Sequence, residues 1–297
     1  MRVVIDANRM RKPELMAYLM VSPNNKAVIS DYSAIESYKS ENVASVLEHF
    51  RIVSSFENQI IVLKNTAAVA NLDPRDGPMP DRMIDLKQTA GFPQFSRAMA
   101  LARRGDQLVI EQIRERRHWA LDQLRVMSDD GDSREVMAII RKVFSPDQWK
   151  TFRRREPFTP KMQGLLHAAI MLTAEAFANG HPTGMILPEP PHLYHHFTFR
   201  LAMCHVIHLI ELAGAGAVSR KPKQVLNDRV DVFYAAYATY FNGLMTSDEK
   251  AASTHHHARA ALGSLDVSLP ENYADHMQAA VTELINHHRA MAGKSPL

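Results

Sequence analysis

Acidic residues recur in this chain at points where short apolar runs end or where helix-like runs begin. Val3-Val4-Ile5 leads directly into the first of them, and Leu244-Met245 shortly precedes the last. The acids concerned are Asp6, Glu36, Asp228, Asp231 and Asp248. Carboxylates held close together repel one another, and metal ions are the usual means of stabilising such a group. The pattern therefore predicts that these acids converge on a metal site.

Carboxylate oxygens favour particular metals and a particular chemistry. Mg²⁺ and Mn²⁺ prefer hard oxygen ligands, keep several bound waters and bind substrate phosphates. Two such ions on shared carboxylates can activate water and stabilise both oxygens of a phosphodiester displacement. Each acid alone could instead be a loop residue, a helix N-cap or a solvated helix residue. Their order along the chain, at the ends of predicted elements, favours one shared Mg²⁺ or Mn²⁺ site.

The elements that must position the acids alternate between strand and helix at the start of the chain. Apolar runs predict strands over residues 2–5, 27–30, 52–54 and 59–63. Helical spacing predicts helices over residues 13–20 and 34–50. Strands that alternate with helices are typical of an α/β fold with a parallel sheet and helices on its faces. Ligands of such sheets bind beyond the carboxyl ends of the strands, where Asp6 and Asp248 are expected.

The alternation stops near residue 71 and resumes near residue 223. Residues 81–217 read almost wholly as helix, and a helix over 228–241 would place Asp231 in its first turn. A further helix is predicted over 273–292. We therefore expect an α/β domain interrupted by a large helical insertion. The predicted division is 1–70 with 220–265 as the core, 71–219 as the insertion, and 266–297 as a C-terminal helix packing on either.

The acidic motifs together resemble those of PIN-domain nucleases. The resemblance rests on Val4-Ile5-Asp6-Ala7-Asn8, on Glu36, on Asp231 followed by Ala235-Ala236, and on Thr246-Ser247-Asp248. It implies a Rossmann-like three-layer α/β/α core and Mg²⁺- or Mn²⁺-dependent phosphodiester hydrolysis, most often of RNA. It makes Asp6, Glu36, Asp231 and Asp248 the catalytic metal ligands. Asp228 would be an auxiliary metal ligand, and Asn8 and Thr246 would shape the site. The long helical insertion departs from the compact form of that family.

Composition limits the remaining classes of protein. The 297 residues are 46% hydrophobic and carry a formal charge of +3, with a pI near 8.9, which permits a polyanionic partner. A single cysteine, Cys204, excludes an internal disulfide framework and favours a reducing cytoplasm. The apolar stretch 201–218 contains His205, His208 and Glu211, so it is predicted to be a buried helix rather than a membrane span.

Other residue patterns suggest weaker alternatives. His205 and His208 lie one helical turn apart, but the sequence has no HExxH motif or ordered zinc spacing around them. His255-His256-His257 would scatter around a solvated helix. Arg153, Arg154 and Arg155 form the basic run best suited to binding phosphates, because only Glu156 adjoins it. The aromatic residues near that run are more typical of core positions: Trp119, Trp149, Phe152 and Phe158.

The sequence thus favours a divalent-metal nuclease acting on RNA, with the basic surface of the insertion guiding the strand. A structure-selective DNA nuclease that uses the same acids remains an alternative. So does a catalytically weak PIN-like scaffold whose insertion binds a partner protein or a second copy of the chain. No membrane partner is expected.

Overall fold

Three strands from residues 2–62 and one from residues 244–245 form a four-stranded, all-parallel sheet in the order β3-β2-β1-β4. The computed structural model describes residues 1–127, 131–154, 156–182, 184–215 and 222–276. The strands are β1 (Arg2–Ile5), β2 (Lys26–Ile29), β3 (Ile60–Val62) and β4 (Leu244–Met245). The predicted α/β class with a parallel sheet is confirmed.

Strand β1 lies inside the sheet, because it pairs with β2 on one side and β4 on the other. Val3 lies opposite Ala27, and Val4 lies opposite Leu244. Side chains alternate between the faces of a strand, so Val4 and Val3 enter different hydrophobic clusters. An almost continuous apolar run is what a strand covered on both faces requires. The strand therefore delivers Asp6 to the carboxyl edge of a sheet covered on both sides.

Helices supply the rest of the ordered structure in the described residues. In chain order they are α1 (Pro13–Val21), α2 (Asp31–Tyr38), α3 (Val43–His49), α4 (Arg51–Ser55), α5 (Thr66–Ala70), α6 (Met79–Arg82), α7 (Leu86–Arg103), α8 (Gln107–Met127), α9 (Gly131–Val143), α10 (Pro146–Arg154), α11 (Pro160–Asn179), α12 (Phe197–Gly214), α13 (Pro222–Ala238) and α14 (Glu249–Gly263). One cluster combines sheet residues with α2, α5, α6 and α8 to α14, while the other combines them with α1, α3, α4, α7 and α8. The predicted insertion thus shares a hydrophobic core with the sheet.

Two predictions for residues 34–54 are wrong. The single helix expected over 34–50 is divided into α2 and α3, because Asn42 begins a new helix by accepting a hydrogen bond from Ser45 N at 2.9 Å. The strand expected over 52–54 is helix α4. Ile52 and Val53 are buried on this helix and belong to the same hydrophobic cluster as Phe50. Packing thus outweighs the strand preference of these β-branched residues.

The position of Asp231 within its helix also differs from expectation. Helix α13 begins at Pro222, so Asp228 and Asp231 lie well inside it rather than in its first turn. Their side chains reach the site from the flank of the helix. The small residues Ala235 and Ala236 are fully buried, and α13 packs against β1 and β4. This close approach brings the flank of α13 beside the end of β1.

Gly243 allows the chain to enter β4. Its φ of +118° is one that other residues rarely adopt, and a Cβ there would lie 2.6 Å from Asn272 Oδ1. The Gly243 carbonyl accepts a hydrogen bond from Val4 N at 3.0 Å. The register of β4 against β1, and so the position of Asp248, depends on this residue.

Helix α12 accounts for the most apolar part of the sequence. It is the one described helix long and apolar enough to cross a membrane, and 78% of that 18-residue stretch is buried inside the protein. The predicted buried helix is confirmed up to Gly214, and residues 216–218 lie outside the described part of the chain. Most of the helix predicted over 273–292 lies outside it as well.

Two further predictions for the helical residues are only partly correct. His255 is buried, at 6% exposure, whereas His256 and His257 lie on the exposed side of α14. Phe152 is a core residue in contact with Phe144, Trp149 and Phe158. Trp119, however, is 43% exposed on α8. Helical spacing alone did not distinguish these environments.

Candidate metal centre

Asp6 lies where β1 ends and is fixed by three hydrogen bonds. Its Oδ1 accepts from Asn8 N at 3.1 Å, and its Oδ2 accepts from Asn8 Nδ2 at 2.5 Å and Thr246 Oγ1 at 2.6 Å. Burial raises the pKa of Asp6 to about 6, although the hydrogen bonds from Thr246 and Asn8 oppose that rise. The structure therefore places both predicted site-shaping residues in direct contact with Asp6.

Glu36 lies on α2, which is joined to the end of β1. Ser33 Oγ donates to Ile5 O at 2.7 Å and so ties the helix to the strand. Glu36 Oε2 accepts a hydrogen bond from Tyr234 Oη at 3.0 Å, and its Oε1 lies 2.6 Å from Lys39 Nζ. Both carboxylate oxygens of Glu36 therefore have donors within the protein.

Asp231 is buried on α13 among the other four acids. It is 9% exposed, and no donor in the described residues forms a hydrogen bond to its carboxylate. Burial and neighbouring carboxylates raise the pKa of Asp231 to about 8. The neighbours, in decreasing order of effect, are Asp248, Asp6, Glu36 and Asp228. The five acids are thus close enough for their charges to oppose one another.

Asp248 is the N-cap of α14 and is linked to Asp6 through Thr246. Its Oδ1 accepts from Lys250 N at 2.8 Å and Ala251 N at 3.1 Å. Its own backbone N–H donates to Thr246 Oγ1 at 2.9 Å, and that hydroxyl donates onward to Asp6. One threonine therefore holds the carboxyl edges of β1 and β4 together.

Asp228 lies one turn before Asp231 on α13. Lys250 Nζ is 3.2 Å from its Oδ1, and His208 Nε2 is 3.6 Å from the same atom. The Asp228 side chain is 6% exposed. The Asp228 carboxylate therefore lies beside an imidazole on α12 and an ammonium group on α14.

The acids are close together but do not form a ready coordination shell. In the described residues, no group of three or more His, Cys, Asp or Glu side chains is arranged to hold a metal ion. The carboxylates of Asp6, Glu36 and Asp248 each accept a hydrogen bond from a nearby donor. The five acids offer carboxylate oxygens, and no donor in the described residues bonds to Asp231. This donor set fits a hard divalent cation.

The predicted basic run lies on helix α10, which carries Arg153 and Arg154 and packs against α12. Arg154 pairs with Glu156 at 3.6 Å. Arg155 lies outside the described residues. A different basic helix, α8, packs beside α2, where Arg117 Nε donates to Ser40 O at 2.6 Å.

Three residues at the centre were missed from the sequence. They are Tyr234, Lys39 and Lys250. Tyr234 follows Asp231 by three residues and Lys39 follows Glu36 by three, which is the spacing of neighbours on a helix. This spacing could have identified Tyr234 and Lys39 from the sequence. Lys250 had no comparable signal, since its partner Asp228 lies on another helix.

A separate cavity of about 1140 Å³ lies between α10, α11, α12 and α14. Its wall is largely apolar, and one edge carries Glu211 and His257, whose Oε1 and Nδ1 are 2.6 Å apart. That hydrogen bond raises the pKa of His257. None of the four predicted catalytic acids lines the cavity, although His208 and Lys250 reach from it towards Asp228. We therefore place the candidate centre at the acids and not in this larger space.

Comparison of the chain with protein-family models, with curated proteins and with solved structures finds no match.

Proposed function

We propose that the protein is a divalent-metal-dependent nuclease that hydrolyses phosphodiester bonds, with RNA as its substrate. The observation that carries the proposal is Asp231, a buried carboxylate without a described donor, surrounded by four other acids. An isolated buried charge is strongly unfavourable in a protein, and a hard cation compensates it. The proposal also includes a Rossmann-like three-layer core, consistent with the parallel sheet and the hydrophobic cluster on each of its faces.

In this proposal, Asp6, Glu36, Asp231 and Asp248 hold Mg²⁺ or Mn²⁺, with Asp228 as an auxiliary acid. The bound ions supply activated water and stabilise negative charge on the phosphate. Thr246 and Asn8 orient the carboxylate of Asp6, and Tyr234 orients that of Glu36. The PIN-like motifs of the sequence agree with this assignment of roles.

Metal binding gives the most direct test. Titration calorimetry with Mn²⁺ should show binding to the wild-type protein and no measurable binding to Asp231→Asn. Asp147→Asn is a suitable control, because Asp147 is exposed on α10 and pairs with Lys150 at 2.8 Å. Equal Mn²⁺ binding by the wild type and Asp231→Asn would contradict the proposal.

Cleavage assays then identify the substrate. Single-stranded RNA should be cut with Mn²⁺ by the wild type and by Asp147→Asn, but not by Asp231→Asn. Faster cleavage of branched or single-stranded DNA in the same panel would replace RNA with DNA as substrate. Absence of both cleavage and Mn²⁺ binding would instead support an inactive scaffold.

A further inference from the structure

Two lysines, Lys39 and Lys250, form ion pairs with acids of the candidate centre. Lys39 Nζ lies 2.6 Å from Glu36 Oε1, and Lys250 Nζ lies 3.2 Å from Asp228 Oδ1. The carboxylate side chains are 13% and 6% exposed, whereas the lysine side chains are 38% and 55% exposed. Each pair thus joins an inner acid to an ammonium group that also reaches the surface.

These ion pairs compete with metal binding. A carboxylate that accepts a lysine ammonium has less charge available for a divalent ion at the same place. Once Glu36 and Asp228 face an ion of higher charge, the two lysines lose their counter-charge. An ammonium group on a flexible stem binds phosphate oxygens as a point charge. The lysines then lie beside the acids, where substrate phosphates can replace the carboxylates as their partners.

We propose that Lys39 and Lys250 bind backbone phosphates of the nucleic-acid strand when the acids hold divalent ions, and neutralise those acids when they do not. This inference rests on the proposed function and adds the groups that hold the substrate. In this proposal the nucleic-acid strand crosses the acids from α2 to the start of α14. Each lysine thus pairs with a carboxylate before the divalent ions bind and with a backbone phosphate after they have bound.

Metal affinity gives the first test, because its expected direction is unusual. Lys39→Gln and Lys250→Gln should each bind Mn²⁺ about two- to fivefold more tightly than the wild type in calorimetry, as removal of a partly exposed ion pair implies. A merely structural role for either lysine would not tighten Mn²⁺ binding. Lys150→Gln is the matched control: Lys150 pairs with Asp147 at 2.8 Å, three residues apart like Lys39 and Glu36.

Nucleic-acid affinity gives the second test. Anisotropy of a fluorescein-labelled single-stranded RNA should be measured over a range of salt concentrations, in Ca²⁺ and in EDTA, with intact RNA confirmed on gels. In Ca²⁺, loss of either lysine should reduce the slope of log K against log salt by about 0.7, the value for one phosphate contact on a single strand. In EDTA the slope should not change, since each lysine is then held by its acid.

The outcomes separate this inference from the proposed function. Unchanged or weaker Mn²⁺ binding by both variants, or an equal loss of RNA affinity in Ca²⁺ and EDTA, overturns the role of the lysines while leaving the nuclease intact. A wild-type protein that neither binds Mn²⁺ nor cleaves nucleic acid overturns both.

Discussion

At the scale of single residues, the acids of the candidate centre differ in how far nearby donors compensate the charge of their carboxylates. Asp6 receives three hydrogen bonds, and Glu36 is neutralised by Lys39. Asp231 receives no such compensation from the described residues. A carboxyl group that is buried among other acids keeps its proton up to an unusually high pH. The folded protein is therefore less stable than it would be with a neutral side chain at this position, unless a cation is present.

We expect the protein without bound metal to lose stability as pH rises from about 6.5 to about 8. The unfolded chain releases these protons near pH 3.8, while the folded pKa values are about 6 for Asp6 and about 8 for Asp231. The stability due to the retained protons is complete below about pH 3.8 and is lost as pH rises through the folded values. Buried His196 and His255, whose pKa values are lowered to about 4, act in the opposite sense only below about pH 6.5.

Chemical denaturation in EDTA at several pH values measures this effect. The slope should approach about 1.4 kcal/mol per pH unit where the folded protein holds one proton that the unfolded chain has released. Saturating Mg²⁺ should remove most of the fall, and Asp231→Asn should flatten it in EDTA. A stability that stays constant or increases from about pH 6.5 to about pH 8 would show that Asp231 is not in the environment described.

At the scale of elements, α13 connects the acids to one another. Asp231 and Tyr234 lie one turn apart, and the Tyr234 hydroxyl both donates to Glu36 and accepts from Ala7 N at 3.4 Å. Tyr237, a further turn along, makes a separate hydrogen bond with Thr66 Oγ1 at 2.9 Å. Both tyrosines are fully buried. The helix therefore offers two similar hydroxyls, of which only one contacts the candidate centre.

Tyr234→Phe should weaken Mn²⁺ binding several-fold, because Glu36 loses the donor that orients it. Tyr237→Phe should leave Mn²⁺ binding unchanged. Each variant should lose about 1 kcal/mol of unfolding free energy, the usual effect of one buried hydrogen bond. Calorimetry and urea denaturation measure the two quantities. Equal Mn²⁺ affinities in the two variants, at equal loss of stability, would remove Tyr234 from the site.

Gly243→Ala should destabilise the protein by about 2 kcal/mol and weaken Mn²⁺ binding. The new Cβ meets Asn272 in a backbone conformation that alanine rarely adopts, so β4 and Asp248 must shift relative to Asp6. Gly91→Ala is the comparison, since Gly91 lies in α7 with open space around its Cβ position and should be neutral or stabilising. Similar denaturation midpoints for the two variants would contradict the assigned role of Gly243.

The same elements explain what the sequence could and could not predict. Strand β1 was predicted correctly because a strand covered on both faces has a short apolar run, and the acid that follows it could be read directly. The division of residues 34–50 depends on the hydrogen bond from Ser45 N to the Asn42 side chain. Tyr234, which donates to Glu36, and Lys250, which pairs with Asp228, lie on other helices. Local patterns do not contain that information.

At the scale of the whole molecule, the helical residues and the sheet share one hydrophobic core. Val4 and Val28 of the sheet belong to the same cluster as Phe152 and Phe199 of the helical residues. A core that crosses the predicted boundary near residue 71 favours unfolding in a single transition. The boundary itself remains a prediction.

Tryptophan fluorescence can test this coupling, because both tryptophans, Trp119 and Trp149, lie in the helical residues. Saturating Mg²⁺ should raise the thermal midpoint reported by tryptophan as much as that reported by far-ultraviolet circular dichroism. An ion at 100 times its dissociation constant stabilises a protein by about 2.7 kcal/mol, which corresponds to several degrees. A tryptophan midpoint that does not respond to Mg²⁺ would indicate an independently folding insertion.

The pairing of β1 with β4 has a consequence for the timing of synthesis. Thr246 donates to Asp6 across a separation of 240 residues. At synthesis rates of about 5–20 residues per second, roughly ten to fifty seconds separate the appearance of these two residues. A nascent chain thus carries Asp6 and Glu36 long before Asp231 and Asp248 exist. A nuclease built in this order would be inactive while its own messenger RNA is still being translated.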